Sequence, residues 1–216
     1  TQPWIHRDLA RRVQRHATSP WRKPPRDADA DALLRLRAAL DAHGGDVILD
    51  SFCGTGLSTA IIGKRHPDTL VIGVDKSAHR LGKAADTPGN CLLLQAHCEA
   101  IWQEFVARGL PLAAHYLLYP NPWPKPGHLG RRVHGHPAFP LLASLGGRIE
   151  VRSNWQIYVE EFGLALYLLG HPSRIATVSE DDPTTTLFER KYRASGHELW
   201  QLVADFDGDD ARRMQR

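Results

Sequence analysis

The sequence predicts an α/β fold with a mostly parallel, doubly wound sheet and an antiparallel last strand. Apolar runs of strand length alternate with helical segments along the 216 residues, which is the pattern of βαβ units. Polar side chains follow four of these runs, at Asp50, Asp75, His97 and Asn121. Because ligands bind at the carboxyl ends of parallel strands, we expect these side chains to converge on one site.

The composition indicates one globular domain of ordinary size. Hydrophobic residues make up 42% of the chain, charged residues 24%, and the net charge is +3. Cys53, Cys91 and Cys98 form no CxxC pair, so we expect a reducing, cytoplasmic compartment and no structural metal site. No apolar run approaches the ~18 residues of a membrane span, and the Arg-rich start has no apolar signal core. We therefore expect no membrane association.

The sequence predicts two parts of the chain: a basic extension over residues 1–27 and the main domain over residues 28–216. The extension carries seven Lys and Arg residues and two tryptophans, Trp4 and Trp21, against only Asp8 and Asp27. Such a segment can clamp phosphates and stack on bases. It can equally be a solvated arm whose tryptophans pack back onto the domain. Both interpretations stay open.

The first half of the main domain predicts four helices and four strands. The first helix has a stripe of leucines, a capping Asp at 27 or 29, and Gly44-Gly45 as its stop. The helices are predicted over 29–43, 57–64, 76–85 and 100–108, and the strands over 47–49, 70–74, 91–94 and 116–119.

The second half begins with a proline-rich loop, from Tyr119 to Lys125. Three prolines alternate with Asn, Trp and Lys, which predicts a stiff, extended connection. The basic run that follows, up to His136, has no carboxylate at ligand spacing, so it predicts a cationic surface rather than a metal site. Beyond it, helices are predicted over 139–145 and 155–169 and strands over 148–151 and 198–206, with a polar tail from 207.

The βαβ unit around Gly54 and Gly56 is of nucleotide-binding type. The glycines allow close approach of a ligand to the backbone, and Asp75 can accept hydrogen bonds from two ribose hydroxyls. The order Asp50-x-x-x-Gly54-x-Gly56 resembles the first motif of S-adenosylmethionine-dependent methyltransferases. The third glycine of the dinucleotide fingerprint is missing, and no GKS or GKT follows, which excludes a Walker-type phosphate loop.

Three motifs in order resemble the bacterial tRNA (guanine-N7)-methyltransferase family. Pro120–Lys125, with His128 and Arg131-Arg132, resembles the family's PDPWxK loop. The other two motifs are Gly146-Gly147 with Ser153-Asn154-Trp155 and Tyr158, similar to GG…TDxxxY, and Thr186–Glu189 with Gly196-His197, similar to TxFE…GH. Asn121 and Asn154 stand where the family carries aspartates.

The resemblance implies a Rossmann-like class I methyltransferase that transfers a methyl group from S-adenosylmethionine to the N7 atom of a guanine in tRNA. The cofactor-binding residues that it implies are Asp50, Phe52, Cys53, Gly54, Gly56, Asp75, Lys76, His97, Cys98 and Asn121. The substrate-binding residues that it implies are Lys125, Arg131, Arg132, Asn154, Thr186, Leu187, Phe188 and Glu189. Asn121, Asn154 and Glu189 are the implied catalytic residues.

Two further functions stay open. Asn121-Pro122-Trp123 also resembles the Asn-Pro-Pro-aromatic loop of methyltransferases that act on exocyclic amino groups, where the Asn oxygen accepts from the amine. A catalytically silent relative that binds RNA is the third possibility, because two expected carboxylates are amides here.

Overall fold

The computed structural model describes residues 1–83 and 86–206 of the chain. The described helices are α1 (Leu9–Ala17), α2 (Ala30–His43), α3 (Leu57–Arg65), α4 (Ala78–Leu81), α5 (Cys98–Arg108), α6 (Leu141–Ser144), α7 (Gln156–Leu168) and α8 (Leu187–Ala194). The described strands are β1 (Val47–Ser51), β2 (Leu70–Asp75), β3 (Cys91–Gln95), β4 (Ala114–Leu118), β5 (Arg148–Ser153), β6 (Arg174–Thr177) and β7 (Trp200–Asp205).

Within the described ranges these strands form one seven-stranded sheet, in the order β3-β2-β1-β4-β5-β7-β6. The neighbours from β3 to β5 are parallel, and β7 runs antiparallel to both β5 and β6. The predicted mostly parallel sheet with an antiparallel last strand is confirmed. The direction of winding reverses between β1 and β4, and such a switch point opens a crevice at the carboxyl ends of the strands.

The two faces of the sheet are covered unequally. Consecutive residues of a strand point to opposite faces, so Leu49 of β1 joins the large core while Ile48 joins a small cluster with Ile62 of α3 and Val71 of β2. Helices α1, α2, α5 and α7 contribute to the large core, where Trp102 and Phe162 are fully buried.

The basic amino-terminal segment packs against this core. Leu9 and Val13 of α1 are fully buried, and α1 lies against α7. Trp21 is partly buried against the core, whereas Trp4 is 73% exposed. The division of the chain between residues 27 and 28 stays a prediction.

Several elements differ from the sequence prediction. The helix predicted over 76–85 is the single turn α4, the one predicted over 139–145 is the short α6, and residues 84, 85 and 207–216 lie outside the described ranges. Helices α1 and α8 and strand β6 were not predicted, because both helices have a low apolar content and β6 is exposed along its whole length. No helix in the described part of the chain combines the length and apolarity needed to cross a membrane.

Candidate active site

A cavity of about 450 Å³ lies at the switch point of the sheet. Phe52, Asp75, His97 and Asn121, which follow or end β1 to β4, all line it. Lys76 and Cys98 are part of the same lining. Of the four side chains expected to converge, Asp75, His97 and Asn121 line the cavity, whereas Asp50 does not. The cavity has a volume typical of small-molecule sites.

Backbone strain is concentrated in the wall of this cavity. Phe52, Tyr119 and Trp123 are the non-glycine residues of the described chain with positive φ, at 64°, 56° and 47°, and all three line the cavity. Such conformations cost on the order of 1–3 kcal/mol each and persist where the surroundings enforce them. Tyr119 and Trp123 also turn the loop that the prolines predicted as extended.

Asp75 is held in the cavity wall by three donors. Its Oδ2 accepts from the backbone N–H of Gly54 at 3.0 Å, and its Oδ1 accepts from that of Ser77 at 2.8 Å. The guanidinium of Arg80 lies 3.0 Å from Oδ1. A carboxylate offers about four acceptor positions, and the Arg80 side chain is 43% exposed, so this ion pair can yield to a ligand.

Asp50 is fully buried and does not line the cavity, in contrast to the prediction. Burial raises the pKa of the Asp50 carboxyl to about 6. The hydroxyls of Ser58 and Thr59 donate to Oδ2 and lower this pKa, but burial has the larger effect. Oδ1 has no hydrogen-bond partner among the described residues. Buried acceptors are normally satisfied, so Asp50 keeps capacity for one more donor.

His97 is fixed by residues from the amino-terminal side of the chain. Oδ1 of the buried Asp29 accepts from the His97 backbone N–H at 2.9 Å and lies 3.0 Å from ring atom Nδ1. Arg26 Nη1 lies 2.8 Å from the other ring nitrogen, Nε2. Burial tends to raise the pKa of Asp29, but the hydrogen bonds from His97 and from the Arg26 backbone outweigh it and lower that pKa.

The loop from Pro120 to Lys125 forms the outer wall of the cavity. The side-chain oxygen of Asn121 accepts from the backbone N–H of Trp123 at 3.2 Å, which stabilises the turn. The guanidinium of Arg131 lies 4.9 Å from the centroid of the Trp123 ring, a cation–π contact. Lys125 is exposed and makes no ion pair within the described residues.

Arg132 and His134 correct the prediction of a uniformly cationic surface. Both are fully buried, and both contact Glu161 of α7. The guanidinium of Arg132 also donates to the backbone carbonyls of Trp123 and Lys125. Arg132 therefore holds the loop from the inside and is not available to an RNA phosphate. The sequence could not show this, because Glu161 lies 29 residues further along the chain.

Glu189 is likewise not in the cavity. It is fully buried, Oε2 accepts from the backbone and hydroxyl of Thr185, and Oε1 pairs with Arg152 at 2.9 Å. Direct contact of this carboxylate with a substrate, as predicted, is contradicted by its burial and pairing.

The neighbours of Glu189 are placed differently. Thr186 caps α8, accepting from the Glu189 N–H at 2.9 Å. Leu187 and Phe188 are about half exposed, and Phe188 lines the cavity. Asn154 follows β5 and is partly buried, outside the cavity lining.

The comparisons with known proteins agree with this architecture. Residues 45–202 match the model of a family described as "Putative methyltransferase", which is most of the chain. The chain belongs to this methyltransferase family. The predicted resemblance, the enzyme class and S-adenosylmethionine as methyl donor are thereby confirmed. No group of three or more His, Cys, Asp or Glu side chains suited to a metal ion occurs within residues 1–83 and 86–206.

Curated relatives with sequence similarity carry the name tRNA (guanine-N(7)-)-methyltransferase. The protein from Thiobacillus denitrificans is 28% identical over 167 residues, covering 72% of this chain and 73% of that protein. The protein from Anaeromyxobacter dehalogenans is 29% identical over 185 residues, covering 80% of this chain and 91% of that protein.

Solved structures share the fold. An antibiotic-resistance methyltransferase, Kmr, superimposes with a TM-score of 0.55 at 22% identity, covering 79% of this chain and 90% of that chain. A mutant 16S rRNA (adenine(1408)-N(1))-methyltransferase from Catenulisporales acidiphilia, with its cosubstrate, gives 0.58 at 18% identity, covering 78% and 90%. At this identity the likeness concerns the fold alone.

The residues of the cavity fit S-adenosylmethionine. That molecule carries hydroxyl and ammonium donors, and the spare acceptor position of Asp75 in the cavity wall suits such a donor. Gly54 and Gly56 have φ of 63° and 77°, so their place in the turn requires glycine. Phe52 stands in the same left-handed region at 64°, a conformation that residues other than glycine rarely adopt.

The sequence did not identify several residues that build this site. Arg26, Arg80 and His136 line or support the cavity, and Asp29 was predicted only as a helix cap. Their partners are distant in sequence: Asp29 lies 68 residues from His97. No local sequence pattern indicates a contact between residues so far apart. Arg80 alone gives a signal, because it follows Asp75 on a predicted helix.

Proposed function

We propose that this protein transfers a methyl group from S-adenosylmethionine to the N7 atom of a guanine in tRNA. The observation that carries the proposal is the position of the Pro120–Lys125 loop. Asn121 and Trp123 line the cavity, while Lys125 extends the same loop into solvent as a cation with no ion pair among the described residues. The names of the relatives support tRNA as the substrate and guanine N7 as the acceptor.

The proposed chemistry needs positioning rather than proton transfer. When bound, S-adenosylmethionine supplies an electrophilic methyl group on a positively charged sulfur. Guanine N7 carries a lone pair and no proton, so the protein needs no general base and acts by orienting the purine. The burial of Glu189 is compatible with this requirement, because a carboxylate base is not needed at the cavity.

Asn121 is the residue that we propose to orient the purine. Its amide oxygen has two lone pairs and gives one to Trp123 N–H, which leaves one for the donor-rich edge of guanine. A neutral oxygen holds a donor about half as strongly as a carboxylate does. Phe188, 46% exposed at the cavity, offers a ring on which a base can stack. Asn154 stays a proposed substrate residue on the resemblance alone.

Nucleoside mass spectrometry tests the proposal. Unmodified tRNA is incubated with the protein and labelled S-adenosylmethionine, digested, and compared with the Asp75→Ala variant to exclude a contaminating enzyme. We expect labelled 7-methylguanosine from the wild type only. The free thiols of Cys53, Cys91 and Cys98 support the proposal of a reducing, cytoplasmic setting, so the incubation is carried out in a reducing buffer.

Methylation of an exocyclic amino group is the second candidate. It is favoured by the exposed amide of Asn121 in an Asn-Pro-Trp loop, since that oxygen can accept from an amine and orient its lone pair. A labelled N²-methylguanosine or N⁶-methyladenosine peak without 7-methylguanosine would select this function. Tight tRNA binding with no labelled nucleoside would instead select a silent RNA-binding relative.

A further inference from the structure

A second cleft, of about 400 Å³, lies between α1 and residues 126–130. One wall is the outer face of α1 with Arg11, Arg12 and Arg15, and the other is the segment that directly follows Lys125. We call this cleft the arginine groove. It is separate from the cofactor cavity, with which it shares no lining residue.

The positive charge of the arginine groove is largely unpaired. Leu9, Val13 and His16 turn inward, so the arginines share the solvent face of α1. Arg11 pairs with Asp8 at 2.9 Å, but Arg12 and Arg15 make no ion pair within the described residues. Like charges three and four residues apart on a helix repel each other, and an anionic ligand would relieve this repulsion.

The opposite wall carries no charged side chain and lies close to Arg12. Gly127 and Gly130 present bare backbone there, and a Cβ on Gly130 would lie 3.2 Å from the Arg12 guanidinium. The backbone can therefore come close to a ligand that the arginines hold. A guanidinium binds a phosphate through two parallel N–H groups, so this wall of arginines suits a phosphodiester chain.

The arginine groove is tied to the loop of the active site. The backbone N–H of Gln2 donates to the carbonyl of Pro124 at 2.9 Å, and Pro126 begins one wall of the groove immediately after Lys125. A polyanion that contacts Lys125 can thus continue into the groove. We propose that the arginine groove binds the phosphodiester backbone of the RNA substrate, at nucleotides away from the methylated base. This inference rests on the proposed function for the identity of the RNA.

A charge-neutral double variant, Arg12→Gln with Arg15→Gln, tests the inference. Binding to an unmodified tRNA transcript is measured by fluorescence anisotropy across a series of salt concentrations. Each phosphate contact contributes about 0.7–0.9 to the slope of log K against log salt, so the variant should lose about 1.5 from the slope and bind about tenfold more weakly. The Lys double variant at the same positions should retain the wild-type slope, because it keeps both charges.

The matched control is Arg148→Gln with Arg174→Gln. These two exposed arginines begin β5 and β6, which run in the same direction, so both lie at the amino edge of the sheet, opposite the cavity. The control should bind tRNA like the wild type, and S-adenosylmethionine affinity measured by calorimetry should be unchanged in all variants. Wild-type tRNA affinity and slope in the groove variant, or equal weakening in the control, would overturn the inference.

The outcomes for the two hypotheses are separable. If the wild type makes 7-methylguanosine, the groove variant should raise KM for tRNA while leaving kcat close to the wild-type value. If the wild type makes no 7-methylguanosine but the groove variant still loses tRNA affinity and slope, the proposed function fails and the arginine groove stands. An unchanged KM together with 7-methylguanosine formation would retain the function and remove the groove.

Discussion

Replacing Glu161 by Gln perturbs the buried contact that joins the amino-terminal segment, α7 and the active-site loop. Glu161 is fully buried in the middle of α7, and its two carboxylate oxygens accept from four donors. The donors are Gln2 Nε2 at 2.6 Å, the His6 backbone N–H at 2.8 Å, His134 Nε2 at 2.8 Å and the Arg132 guanidinium. The Gln side chain has the same shape but presents an NH₂ group to donors and leaves the Arg132 charge without a counterion.

The expected loss of stability follows from the contact and from the pKa of Glu161. Removing one partner of a buried ion pair costs about 3–5 kcal/mol. Burial tends to raise the pKa of Glu161, but hydrogen bonds from His134, Gln2 and His6 lower it overall, from 4.5 to about 2. This shift corresponds to roughly 3 kcal/mol of the stability of the ionised form. At about 2–4 °C per kcal/mol for a chain of this size, Tm should fall by on the order of 10 °C.

The pH dependence has a definite sign. Because the folded pKa of Glu161 lies below the unfolded one, its contribution is fully present above pH 4.5 and is lost as the pH falls through about 2. In Glu161→Gln this contribution is missing at every pH. The stability difference between wild type and variant should therefore shrink between pH 4.5 and 2.

Thermal unfolding followed by circular dichroism measures both effects. The matched control is Glu160→Gln, one residue earlier on α7, where the carboxylate accepts from Gln156 at 2.8 Å near the surface and makes no ion pair within the described residues. The control should change Tm by less than about 2 °C, as is usual for surface substitutions. A Glu161→Gln protein that melted with the control, or a difference that did not change with pH, would refute the reasoning.

Three further substitutions test separate parts of the site. Asp75→Ala should abolish S-adenosylmethionine binding in calorimetry. A titration curve for this variant equal to that of the wild type would disprove the contact of Asp75 with S-adenosylmethionine. Lys125→Ala should weaken tRNA binding and reduce the salt slope by about 1, and an unchanged slope in an anisotropy titration would remove Lys125 from the RNA surface. Thr186→Ala removes the cap of α8 and should lower the free energy of unfolding in urea by about 1 kcal/mol. An unchanged urea midpoint would show that the cap does not stabilise the protein.

The sequence predicted those parts of the fold that depend on local patterns. Strand β2 was predicted over 70–74 with Asp75 at its end, and the structure has β2 from Leu70 to Asp75. A parallel strand buried on both faces is a continuous apolar run, so its limits show directly in the sequence. Asp75, His97 and Asn121 of the cavity followed from the same logic, because topology alone brings strand ends together. Asp50 at the end of β1 did not, because it is fully buried outside the cavity lining.

The predictions that were wrong concern residues whose contacts are with residues distant in the sequence. Arg132 and His134 lie in a run of cations that resembles a surface, and only the carboxylate of Glu161 explains their burial. The prediction that Glu189 contacts the substrate was wrong for the same reason, because Glu189 pairs with Arg152 of β5, 37 residues away in the sequence. A buried charge must be paired, but the sequence does not show which charges are buried.

The three carbonyls at the tip of the active-site loop are all held by buried or amino-terminal groups. Arg132 donates to those of Trp123 and Lys125, and the backbone N–H of Gln2 donates to that of Pro124 between them. Proline removes backbone donors from this loop, so the loop cannot pair with a neighbouring strand and must be held through its acceptors. The left-handed conformation of Trp123 is strained and persists only while these acceptors are held. The amino-terminal segment thus supports the loop that borders the cavity, although nothing in its own composition indicates this contact.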